Sequence, residues 1–71
     1  MVEMIERWFR DGVPKLVSVE VGDNIVLARV TIYPGDTGFN DAVIAALDRE
    51  NLIDTNDEYR KALQTIERLA Q

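Results

Sequence analysis

The segment Lys15–Tyr33 reads KLVSVEVGDNIVLARVTIY, and it decides the fold. Val17, Val19 and Val21 alternate with Leu16, Ser18 and Glu20, and a second, β-branched run follows from Ile25 to Tyr33. A period of two places successive side chains on opposite sides of an extended backbone, so the segment predicts two strands joined by a tight turn. With Asp23-Asn24 as the central turn residues, both tolerant of the positive φ of a type I′ turn, Val21 would face Val26, Val19 would face Ala28 and Val17 would face Val30. All six would then share a face with Ile32, and a one-residue slip would scatter them. The opposite face, with Leu16, Ser18, Glu20, Leu27, Arg29, Thr31 and Tyr33, is only half polar, and Glu20 and Arg29 could pair across it diagonally. A solvated face should be more polar than that, which predicts cover over Leu16, Leu27 and Tyr33 from a helix of the chain or from a second subunit.

Working outward, helical spacing replaces strand spacing on both sides. Upstream, Met1, Ile5, Trp8 and Phe9 form an apolar stripe over a helix from about Val2 to Asp11, stopped by Gly12 and Pro14. Downstream, Pro34-Gly35-Asp36-Thr37-Gly38 ends the sheet. A helix from Phe39 to Glu50 follows, with Phe39, Val43, Ile44 and Leu47 on one side, and Asp36, Thr37 and Asp41 near its positive end. Thr55-Asn56-Asp57-Glu58 has the form of a capping box and opens a last helix whose apolar positions are Tyr59, Ala62, Leu63, Ile66, Leu69 and Ala70. The expected architecture is a small single α+β domain over residues 1–71, in αββαα order, with an antiparallel hairpin packed by helices.

Size limits what such a domain can do. At 71 residues a chain buries roughly 60% of its unfolded surface, and with neither cysteine nor histidine there is no disulfide, thiolate or imidazole to staple it. The apolar core must hold it alone. Large apolar side chains exceed what a hairpin-plus-helix core needs, which leaves some for burial against another subunit, as in a homodimer. Acids stand where a signal peptide carries bases, and no apolar run nears the ~18 residues of a spanning helix, so a cytoplasmic location without membrane contact is expected.

The formal net charge of −5 is concentrated. Asp36, Asp41, Asp48, Glu50, Asp54, Asp57 and Glu58 stand against the single cation Arg49, while the remainder is close to neutral. A field of one sign steers molecules of the other, so a basic protein partner is favoured, with Asp48, Glu50, Asp54, Asp57 and Glu58 brought together by the short Asn51-Leu52-Ile53 connection. Tyr33, on the mixed face of the sheet, and Trp8, at the end of a terminal helix, are the aromatic candidates for such a contact, although Trp8 serves equally well as core.

Catalysis finds little to use. The usual general base and thiol nucleophile are missing, and Ser18 sits mid-strand without a partner. Asp36-Thr37-Gly38 matches the triplet of retroviral-type aspartic proteases, but it follows Pro34-Gly35 and precedes a helix, so it reads as a turn. Gly35 and Gly38 form no phosphate loop, because Asp36 and Asp41 would repel the anion and no lysine is present. Asp54 to Glu58 begins like a calcium loop but has Tyr59 where glycine is needed and Thr65 where a bidentate Glu belongs. Dispersed cations and a final helix opening on Asp57-Glu58 disfavour direct nucleic-acid binding. The expected function is therefore a small acidic, non-enzymatic protein–protein interaction module without cofactor or metal, regulatory, adaptor or inhibitory in kind. Its alternatives are an acidic mimic of nucleic acid that inhibits a DNA- or RNA-binding protein, as some phage-encoded antagonists do, and a structural subunit assembling through the hairpin edge.

Overall fold

A computed structural model describes residues Met1–Gln71 in the order α1 (Val2–Asp11), β1 (Val13–Val21), β2 (Asn24–Ile32), α2 (Phe39–Arg49) and α3 (Asn56–Ala70). The α+β class and the order of elements are those the sequence implies. In α1, Ile5 and Trp8 are buried and Met1, Met4 and Phe9 pack around them, as the helical spacing requires. The helix ends at Gly12, whose N–H donates to the Trp8 carbonyl at 2.8 Å. Two constraints fix glycine there: φ is 89°, and a Cβ would lie 2.7 Å from Thr31 Cγ2.

The strands pair antiparallel, with Val13 facing Ile32, Lys15 Val30, Val17 Ala28, Val19 Val26 and Val21 Asn24. The turn is thus Gly22-Asp23, one residue earlier than the expected Asp23-Asn24, and each partner moves by two. Gly22 supplies the only positive φ of the turn, 61°, at its first central position, the pattern of a type II′ turn rather than I′. A shift of two preserves the faces, so the valines still share one side. It does separate Glu20, which now faces Ile25, from Arg29, which faces Leu16. The expected diagonal ion pair does not form; the ion pairs present are Arg10–Asp11 at 3.1 Å and Arg68–Glu6 at 3.6 Å.

Between sheet and α2, Pro34 and Gly35 (φ 96°) occupy the central positions of a turn closed by Asp36 N–H on the Tyr33 carbonyl at 3.1 Å. The Asp36 carboxylate turns back to accept the Tyr33 N–H at 3.0 Å. It therefore does not cap α2, whose first turn begins from a left-handed Gly38 without a side-chain cap. α2 ends in a Schellman motif: Asn51 is left-handed (φ 57°), Leu52 N–H donates to the Leu47 carbonyl at 3.0 Å and Asn51 N–H to that of Asp48 at 3.0 Å. Leu52 packs against the core that contains Leu47, the apolar contact that accompanies this motif. At the start of α3, Glu58 N–H donates to Thr55 Oγ1 at 3.2 Å, while the Glu58 carboxylate accepts from Asp54 N–H at 3.0 Å, one residue upstream of the usual capping-box partner.

The three helices meet in one core: Ile5 and Trp8 of α1, Phe39, Ala42, Val43, Ala46 and Leu47 of α2, and Ala62 and Ile66 of α3, with Val13 from the root of the hairpin. Phe9 and Phe39 join α1 to α2 edge-to-face at 4.9 Å. The buried side of α3 is turned from the expected one. Thr65 is inside, its hydroxyl donating to the Lys61 carbonyl at 2.9 Å, whereas Leu63 is 37% exposed and Tyr59 and Ala70 lie outside. A threonine that satisfies itself on its own helix is buried at little cost. The molecule measures 42 × 25 × 17 Å, and its radius of gyration is 13.5 Å. About 11 Å is expected of a compact chain of this length, and the difference is the hairpin, which leaves the helical body as an arm.

Candidate interaction surface

Nine-residue strands at about 3.3 Å per residue make an arm roughly 30 Å long. Its root is held: Val13 is buried, Ile32 packs on the core, and α2 lies against β1. Above the root neither face is covered. Val19, Val21, Val26 and Val30 are exposed on one face and Leu16, Ile25 and Leu27 on the other, Ile25 and Leu27 at 69% each. Leu16 shares a cleft with Met4 and Trp8 of α1 and Ala46 of α2 yet stays 56% exposed, and Leu27 and Tyr33 are exposed as well, so the expected cover from a helix is slight. Val17 and Ala28, midway along, are half-buried. Two-stranded hairpins are marginal in water by themselves, and this one exposes apolar side chains along both sides.

The two edges of the arm differ. Along an antiparallel strand the N–H and C=O of one residue point to the same side, and those of the next to the other. The Pro14 carbonyl points away from β2, since it accepts from Arg49 Nη2 at 3.4 Å, so the backbone groups of Leu16, Ser18 and Glu20 also face outward. Across the ladder the outward-facing set on β2 is then Thr31, Arg29, Leu27 and Ile25, the residues opposite them. Pro14 has no N–H to offer on the β1 edge, the position where a strand tolerates proline, and Arg49 at the end of α2 lies across it. The β1 edge is guarded. The β2 edge has no proline, no lysine and no bulge, and the helices touch it at most marginally. A proline beside a lysine at a strand start was the sequence signal for the guarded edge; nothing in the sequence pairs Arg49 with it.

Asp48, Glu50, Asp54 and Asp57 are exposed, and Glu58 is half-buried with its carboxylate engaged at Asp54 N–H. Two of these residues close α2 and three lie at or in the opening turn of α3, on either side of the Schellman motif. None of them belongs to an ion pair. No three acidic side chains converge so as to hold a metal ion. Tyr33 is exposed at the end of β2. Trp8 is only 6% exposed and packs in the core, which leaves little of its ring for a partner. Buried side-chain polar atoms all have hydrogen-bond partners, so no unpaired group is aimed into a cleft.

Set against known protein families, characterised proteins and solved structures, the chain matches none. No helix is long and apolar enough to cross a membrane.

Proposed function

We propose that this protein is a non-enzymatic protein–protein interaction module, regulatory, adaptor or inhibitory in kind, that works through its projecting hairpin. The observation that supports this reading is the apolar arm itself. Val19, Val21, Val26 and Val30 on one face and Leu16, Ile25 and Leu27 on the other stand in solvent, and clustered aliphatic surface of this kind marks a contact site. Such surface costs free energy while hydrated and returns it on contact, and the hairpin holds it extended, away from the acidic body. The test is amide exchange of the labelled protein in extract of its native host, compared with dilute buffer. Protection of the Ile25, Leu27, Arg29 and Thr31 amides in extract is expected, and exchange as free as in buffer would overturn the reading.

A second reading concerns a basic partner, including the case in which the protein occupies the nucleic-acid groove of another protein. It is favoured by the absence of any ion pair at Asp48, Glu50, Asp54, Asp57 and Glu58. Association should then slow steeply as salt shortens the screening length from ~10 Å to a few Å. Replacing Asp48, Glu50 and Asp57 together by Asn or Gln should lower the on-rate without changing stability; an equal on-rate returns these carboxylates to solubility and helix capping.

A further inference from the structure

We infer that the occupant of the arm is a second copy of this chain, its β2 strand pairing antiparallel with β2 across a two-fold axis at Leu27 to form a four-stranded sheet. The inference rests on the arm being an interaction surface and says what fills it. Three observations select this arrangement.

The first is the contrast between edges. Pro14 and the Arg49 side chain obstruct the β1 edge near its root, whereas on β2 the outward backbone groups of Ile25, Leu27, Arg29 and Thr31 take no hydrogen bond from the rest of the chain. An edge of that kind is completed by another strand. With the axis at Leu27, each Leu27 faces its own copy and each Arg29 faces Ile25 of the second copy, all of them residues whose backbone groups point outward.

The second is charge. Lys15 and Arg29 near the root balance Glu20 and Asp23 near the tip, so the arm is neutral and the whole net charge of −5 sits on the helical body. Two bodies repel and two arms do not. The arm is moreover a dipole, basic at its root and acidic at its tip, and antiparallel pairing lays each root beside the other tip. Arg29 then lies next to Ile25 of the second copy, which in its own hairpin pairs with Glu20 on the same face. A parallel arrangement would set like charges together, at a cost.

The third is the size of the sheet: β1 and β2 are its only strands, and edge pairing adds backbone hydrogen bonds along β2. A four-stranded sheet also removes the weakness of an isolated two-stranded hairpin.

The test uses the purified full chain. Sedimentation should show a dimer that dissociates on dilution, with Ile25, Leu27 and Arg29 amides protected in proportion to the dimer fraction. Arg29→Glu and Glu20→Arg should each raise the dissociation constant by about 2- to 5-fold, and the two together should restore it within about 2-fold, reading a charge pair that reaches across the Ile25 strand. All three variants alter exposed side chains, and circular dichroism checks that each folds. Because the chain has no cysteine, Leu27→Cys should cross-link to itself under mild oxidation or with a short bis-maleimide, whereas Asn40→Cys on the body should not. A monomer at millimolar concentration, or a dimer in which Leu63→Cys cross-links and Leu27→Cys does not, would overturn the self-pairing. Arm amides protected in host extract but free in the pure protein would overturn it while sparing the wider interaction reading; amides free in both would remove the two together.

Discussion

At the scale of single residues, backbone conformation carries most of the information. Asn51 is the one non-glycine with positive φ, and it sits where the Schellman motif closes α2. Asn51→Gly should therefore hold or raise stability by up to about 1 kcal/mol, and Asn51→Val should lower it by about 1–2 kcal/mol, as read from urea midpoints. Two glycines make a sharper comparison. Gly22→Ala meets no neighbour within 4 Å and should cost about 1 kcal/mol for its φ alone, while Gly12→Ala adds the approach to Thr31 and should cost several times more. Charge acts more gently at this scale. The Arg10 guanidinium, hydrogen-bonded to Asp11, holds that carboxyl below its ordinary range, and Arg10→Ala should move its titration upward in an NMR pH series. A depressed carboxyl contributes stability above its unfolded pKa that is lost as pH falls through the folded one, and for so exposed a pair the contribution is slight.

At the scale of elements, periodicity was legible and coverage was not. The boundaries of α1, the capping box of α3 and the two faces of the hairpin all follow from spacing and turn chemistry in the chain. Register did not, because pairings that differ by two residues bury the same valines; the choice fell to Gly22, which takes the first position of a type II′ turn more readily than Asn24 closes a type I′ one. Alternation says which side chains share a face but nothing about whether a helix lies over it, so the bare Leu16 and Leu27 were beyond its reach. α3 shows the same limit, since an apolar stripe selects Leu63 while packing selects Thr65. Ile66→Ala should accordingly cost about 2–5 kcal/mol, with Leu63→Ala under about 1.5 kcal/mol and Glu67→Ala near zero. Equal effects at Ile66 and Leu63 in urea titrations would mean that α3 is rotated from the orientation described. For the candidate surface, the sequence offered the acidic run, Tyr33, Trp8 and an open hairpin edge, whereas which of the two edges is free emerged only once the Pro14 carbonyl had a direction.

At the scale of the whole molecule, the packing of α1 on α3 has a consequence in time. The contact joins two elements far apart in the chain, with Glu6 and Arg68 at 3.6 Å and Ile5, Ala62 and Ile66 in one core. During synthesis at ~5–20 residues per second, α1 leaves the ribosome seconds before α3 exists. The hairpin needs only its own neighbours and can pair at once. Trp8 and Ile5 must wait in water or against a chaperone until residues 56–70 clear the exit tunnel. Ribosome-bound chains stalled before that point should be cleaved readily within α1, and chains extended by a linker of about 40 residues should resist; early resistance would show that α2 alone shelters the first helix. Birth order thus makes the aromatic end of α1, packed against the other helices in the finished protein, the most adhesive part of the unfinished one.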